Sequence, residues 1–249
     1  MKIRAVTVDF WGTLLLDPPS SDNRYKRRRM ADFESILGGL GVRTTPNALD
    51  RAYDASAGWL GRVWAKNRDV PVTDHVRAIL AALDGGLPDR VPPDVMTALV
   101  EAYARPLLMV PPAVDNGARS AFERLRADGI TLALLSNTMR TPGSTLRQLL
   151  AHFGLLDSFA HLTFSDEVGV RKPDPAIFAL TLRALGVQPG ETVHVGDDAV
   201  LDVHGARAAG LRCVQVTSAS LKALGAQRPD AVVKSLAGLP EAIASLERA

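Results

Sequence analysis

Ile3-Arg4-Ala5-Val6-Thr7-Val8-Asp9-Phe10-Trp11-Gly12-Thr13-Leu14 is the stretch on which the fold turns. An apolar run without strict alternation ends at a carboxylate, and Gly12 permits a tight turn close behind it. A run of this kind reads as a strand buried on both faces, as in a parallel sheet covered by helices. The aspartate at its end has three readings: a metal ligand, a nucleophile, or the cap of the next element.

Working outward, similar runs recur at 131–135, 160–164, 192–195, 212–216 and 231–233. Helical patterns lie between or beyond them, at 117–128, 145–153, 175–185, 202–209 and 236–247. Strands alternating with helices predict an α/β fold with a mainly parallel sheet and right-handed crossovers. One segment breaks the rhythm. From about Pro18 to Arg105 there is no strand pattern, only Ala- and Leu-rich helical sequence, opened by Pro18-Pro19-Ser20-Ser21 and closed by Pro106 and Pro111-Pro112. This reads as a helical insertion after the first strand, placed over the strand ends where open α/β sheets bind ligands.

Composition excludes several classes. In 249 residues, 29 Lys and Arg stand against 27 Asp and Glu, which is no nucleic-acid or membrane surface. No run approaches the roughly 20 apolar residues of a spanning helix, and the first apolar run is too short for a signal segment. Cys213 is the single cysteine, in a strand-like setting, so no internal disulfide framework exists. The expectation is a soluble, cytoplasmic protein.

Three further polar clusters fall at the ends of the buried runs. Ser136-Asn137-Thr138 offers hydroxyls and an amide that can donate to an anion or simply form a turn. In Gly169-Val-Arg-Lys172-Pro173-Asp174-Pro175, Asp174 and Pro175 read as a helix cap and first residue, which leaves Lys172 unexplained. Gly196-Asp197-Asp198-Ala-Val-Leu-Asp202 places three carboxylates within six residues at a strand-to-helix turn. They repel one another unless a cation sits there, and an all-oxygen set suits Mg²⁺. One of Asp198 and Asp202 can be taken by capping.

Taken together and in this order, Asp9 with Gly12-Thr13, Ser136-Asn137, Lys172-Pro173 and Gly196-Asp197 with Asp202 resemble the haloacid dehalogenase-like hydrolase superfamily. The resemblance covers residues 1–16 and 106–249 as a Rossmann-like core, and makes 17–105 a C1-type helical cap. It implies Mg²⁺-dependent phosphoryl transfer from a small phosphorylated substrate through an aspartyl-phosphate. Asp9 would then be nucleophile and metal ligand, and Lys172 would supply positive charge. Ser136, supported by Asn137, would bind the transferring group, with Thr13 beside it. Asp197, Asp202 or Asp198, and the backbone carbonyl of Trp11 would complete the metal site.

Trp11 departs from that pattern. The family's phosphatases place a second aspartate there as general acid and base, and an indole N–H donates a hydrogen bond without shuttling a proton. General acid–base catalysis contributes roughly 10²–10⁴-fold, so that share of the rate needs another source. Besides a phosphatase, a weak or vestigial ligand-binding protein and a 2-haloacid dehalogenase-like hydrolase follow from the same residues. The retained carboxylates favour the phosphatase. In the insertion, Arg24, Lys26, Arg27, Arg28 and Arg29 read as a mainly solvated face, with Arg24 or Arg28 the ones to reach an anionic substrate. Trp59 and Trp64 read as cap core.

Overall fold

The computed structural model describes residues 2–16, 21–217 and 227–248. The prolines at 18 and 19 and the expected boundary at residue 17 lie outside them. Strand β1 (Ala5–Val8) leads through a tight turn to a two-residue strand, β2 (Leu15–Leu16). Five helices follow: α1 (Ser21–Gly39), α2 (Pro46–Trp64), α3 (Val72–Leu83), α4 (Leu87–Arg90) and α5 (Pro93–Ala104). Thr45 starts α2, its hydroxyl accepting from the Ala48 N–H at 3.2 Å with Pro46 as the first helical residue. These helices bury an apolar cluster of their own, built on Phe33, Leu37, Leu49, Ile79, Leu80 and Leu99. Each such fully buried side chain contributes about 1.5–3 kcal/mol.

The chain then passes α6 (Pro106–Met109) and a second short strand, β3 (Ala113–Val114), which pairs antiparallel with β2. The alternation that the sequence predicts follows: α7 (Ala118–Ala127), β4 (Thr131–Ser136), α8 (Gly143–His152), β5 (His161–Phe164), α9 (Ser165–Val168), α10 (Pro175–Leu185) and β6 (Thr192–Gly196). After β6 come a widened helical turn at Ala199–His204, α11 (Gly205–Ala208), β7 (Arg212–Val216), β8 (Ala231–Val233) and α12 (Leu239–Arg248). The six longer strands form one parallel sheet in the order β5-β4-β1-β6-β7-β8. β1 sits near the middle, buried along its whole length, which is why its sequence shows no polar alternation.

Two local expectations shift. The helix expected at 202–209 begins instead at Ala199, because the Asp198 side chain accepts the Val200 and Leu201 N–H groups at 2.8 and 2.9 Å. Asp202 therefore lies inside that turn. The β2–β3 pair has no counterpart among the expected strands, since two-residue runs carry no period.

Candidate active site

Strand register brings the expected residues to one edge. Val8 pairs with Leu134 of β4 and Val195 of β6, so Asp9, Ser136 and Gly196-Asp197 emerge together at the carboxyl ends. The Asp9 N–H continues the ladder onto the Val195 carbonyl at 2.8 Å. This edge is where a ligand meets an open α/β sheet.

Lys172 reaches in from the loop after α9 and is 2 % exposed. Its Nζ donates to Asp9 Oδ1 at 2.5 Å and to Asp202 Oδ1 at 2.6 Å. Asn137 fixes that loop by its main chain: Asn137 Nδ2 donates to the Lys172 carbonyl at 3.1 Å, and Asn137 Oδ1 accepts the Lys172 N–H at 2.9 Å. Ser136 is fully buried beside it, its hydroxyl donating to the Asn137 carbonyl at 3.3 Å. Burial works against the ammonium, but the two carboxylates hold the Lys172 pKa above its ordinary value. For Asp9, burial outweighs the lysine and the neighbouring carboxylates add to it, so its pKa rises to about 7. Asp202 is driven the other way by Lys172 and His194, against its burial.

Two glycines allow this closeness. Gly12 has φ +78°, and a Cβ there would stand 2.6 Å from Asp197 Oδ2. A Cβ on Gly196 would stand 2.2 Å from Asp202 Cγ. Any other residue at either position forces a carboxylate away.

Asp9, Asp197 and Asp202 each bring a carboxylate oxygen within 4.8 Å of the others. Three carboxylates facing one lysine leave an excess of negative charge, and all-oxygen donors match Mg²⁺, so the residues fit that ion. Asp198 stands apart from this group as the cap of the 199–204 turn. The oxygen facing the helix accepts two N–H groups.

Trp11 packs against the sheet core, edge-on to Phe10 with ring centroids 5.3 Å apart. Its Nε1–H and the Thr13 hydroxyl are buried polar atoms without a hydrogen-bond partner among the described residues.

Other expectations are revised. Arg24 packs on Tyr25 and Arg28 pairs with Asp32 on the exposed side of α1, whereas Arg29 is buried. Arg29, Phe33 and Leu37 recur every four residues on the inward face. Neither Trp59 nor Trp64 enters the cap's apolar cluster. Trp59 lines an open groove, and Trp64 donates from Nε1 to Asp69 at 3.0 Å.

His194 carries no expected role, yet it lies under the site. Its Nε2 is 3.0 Å from Asp202 Oδ1 and its Nδ1 is 2.8 Å from Thr7 Oγ1. Burial holds its pKa below the ordinary imidazole value, so the ring is neutral and Nε2–H donates to the carboxylate. A lone titratable residue between Val193 and Val195 in a doubly buried strand was the available signal.

The sheet order, the helices set between β1 and β4 and the strand-end carboxylates define a Rossmann-like α/β fold with a helical cap. The chain belongs to the haloacid dehalogenase-like hydrolase family, whose family model matches residues 3–210. A phosphoserine phosphatase of Thermus thermophilus is 39 % identical over 182 residues, covering 73 % of this chain and 64 % of that protein. The chain spans about half to two thirds of the length of the curated relatives it matches. A 2-haloacid dehalogenase from Pseudomonas syringae shares the fold with a TM-score of 0.67 at 22 % identity, covering 98 % of this chain and 99 % of that one. A HAD phosphatase from Thermococcus onnurineus gives 0.61 at 25 % identity, covering 96 % and 97 %. Among the described residues, no helix is long and apolar enough to cross a membrane.

Proposed function

We propose that this protein is a Mg²⁺-dependent phosphohydrolase acting on a small phosphorylated compound through an aspartyl-phosphate at Asp9. One observation carries the reading: three carboxylates converge around a buried lysine, with donors suited to a hard divalent cation. Phosphatases among its relatives support it. In this reading, residues 1–16 and 106–249 form the core and 17–105 the cap. The buried thiol of Cys213 is consistent with a reducing, cytoplasmic setting.

Asp9 attacks phosphorus through a carboxylate oxygen, the ester P–O bond breaks, and the alcohol leaves with a proton taken from water. A second water then attacks the aspartyl-phosphate, its proton passing to the hydroxide left by the first, which releases phosphate and restores Asp9. Lys172 draws Asp9 toward its ionised form and faces the developing charge on the phosphoryl oxygens. Ser136 and the Thr13 hydroxyl donate to those oxygens, while Asn137 holds Lys172 in register. Asp9, Asp197, Asp202 and the Trp11 backbone carbonyl would hold Mg²⁺, which supplies positive charge to the transferring group when bound.

Trp11 favours a second reading. An indole N–H without a partner, where the family's phosphatases carry an acid, suits a leaving group that needs no proton, as in 2-haloacid hydrolysis. A panel of phosphate esters and 2-haloacids, assayed with Mg²⁺ and with chelator, separates the two. The proposal expects Mg²⁺-dependent release of phosphate. Halide release that chelator leaves untouched would replace it.

A further inference from the structure

Between α2 and α3, residues 67–69 run alongside residues 169–171, directly ahead of Lys172. Arg68 and Val170 form an antiparallel bridge. The Asp69 N–H donates to the Gly169 carbonyl, and the Arg171 N–H to the Asn67 carbonyl, each at 3.2 Å. Into this seam Asp69 turns a side chain with no solvent exposure. Its Oδ1 accepts from Trp64 Nε1–H and from the Val70 N–H, both at 3.0 Å. Its Oδ2 accepts from the Ser165 hydroxyl at 2.5 Å and from Arg171 Nη1 at 3.3 Å. The Arg171 guanidinium lies over the Trp64 ring, 4.4 Å from its centroid.

Ser165 passes this constraint on. A serine hydroxyl has one proton, and an ionised carboxylate only accepts, so that proton points to Asp69. The oxygen lone pairs are thereby aimed at the Thr138 N–H, 2.9 Å away. Thr138 follows Asn137, whose side chain grips the main chain of Lys172. A single carboxylate from the inserted helices thus reaches the Ser136–Thr138 loop through Ser165 and the Lys172 loop through Arg171. An ion pair serving only to dock the cap would need Arg171 and not the serine relay.

We propose that Asp69 is a positioning residue for catalysis: through Ser165 and Arg171 it sets the two loops that present Ser136 and Lys172. The inference rests on the roles given above to those two residues. It makes the cap a part of the catalytic framework as well as its cover.

The test uses the whole 249-residue chain, p-nitrophenyl phosphate with Mg²⁺, and the variants Asp69→Asn, Ser165→Ala and both together. Misplacing a catalytic group by about 1 Å can cost about 10²-fold. Each single variant is therefore expected to lower kcat by roughly 10–100-fold while KM changes by less than about threefold. The double variant should be no worse than Asp69→Asn alone, because Ser165 lies downstream of Asp69 on one of its two arms. Amide exchange gives a second readout that needs no turnover. Ser165→Ala should speed exchange at Thr138 by at least about tenfold and leave Thr131–Ser136 unchanged. Should Asp69→Asn fail to fold, Ser165→Ala alone decides. Near-wild-type kcat in the folded variants, additive losses, or unaltered exchange at Thr138 would overturn the proposal. A wild-type protein that hydrolyses no phosphate ester would instead remove the phosphohydrolase reading, and the exchange experiment would then settle the relay by itself.

Discussion

The strand-end site and the arginine pair where α1 meets residues 140–141 handle buried charge in opposite ways. At the strand ends, Lys172 sits between Asp9 and Asp202, and a third carboxylate, Asp197, leaves the group negative. In that pair, unlike Arg171 with Asp69, Arg29 and Arg140 have no carboxylate partner among the described residues. Arg29 donates to the Tyr103 carbonyl, the Tyr53 hydroxyl and the Arg140 carbonyl at 2.7–3.1 Å, and lies 4.4 Å from the Tyr103 ring centroid. Arg140 mirrors it, donating to the Tyr103 hydroxyl at 3.0 Å and lying 4.0 Å from the Tyr53 centroid. Neutral acceptors and ring faces hold a guanidinium in place without neutralising it. The charge is still felt nearby: burial and then the arginines push the His75 pKa down to about 3. One region therefore uses opposite charges to tune a reactive carboxylate, while the other uses dipoles to fasten a lid. Substitutions at the strand ends should change rate before stability, and substitutions in the Arg29–Arg140 pair should do the reverse.

The largest effect falls on Asp9→Asn. Its amide is a poor nucleophile and a weaker metal ligand, so turnover should fall by at least about 10³-fold with the melting temperature little changed. Steady-state kinetics on an activated aryl phosphate checks this, and wild-type turnover would remove the nucleophile assignment. In the arginine pair, Arg29→Ala should destabilise by about 2–4 kcal/mol in urea unfolding, through lost packing on Tyr103 and stranded acceptors. Next comes Trp11→Asp, which restores a carboxylate where a leaving-group acid would stand. It should raise turnover of poor alkyl phosphates by about tenfold or more, and of aryl phosphates less. The smallest effect belongs to Arg28→Ala, one residue from Arg29. Its exposed pair with Asp32 is worth no more than about 1 kcal/mol. If the two adjacent arginines cost the same, the contrast drawn here is wrong.

How much of this was legible depended on how far apart the interacting residues lie. The six parallel strands were readable because burial on both faces leaves continuous apolar runs, and the polar clusters that end them stood out against those runs. Asp174 and Pro175 were readable as a helix start because capping is local. Asp198 and Asp202 were harder to tell apart: both sit near a helix start, and only the fold decides that Asp198 caps while Asp202 turns back to Lys172. Asp69, Ser165 and Thr7 gave no signal, since each acts through a partner close to 100 or more residues away in sequence. Arg29 was hidden within its basic run. Charge alone does not say which side of α1 faces inward, and that becomes clear only once Phe33 and Leu37 are known to be buried. Trp59 and Trp64 misled for a similar reason, because apolar bulk at helical spacing does not distinguish a core from a seam.

The most direct test is a Mg²⁺ titration of p-nitrophenyl phosphate turnover, with melting temperature followed in parallel, at pH 6 and pH 8. Asp9 is held at about 7 chiefly by burial, so below that pH the folded protein keeps a proton there. A cation binding only the ionised carboxylate must displace that proton, and its apparent affinity should fall by up to about tenfold per pH unit below 7. Turnover should be absent in chelator and recover with Mg²⁺, and the Mg²⁺-induced rise in melting temperature should be larger at pH 8 than at pH 6. Turnover indifferent to chelator, with a melting temperature that Mg²⁺ does not move at either pH, would contradict the Mg²⁺-dependent mechanism.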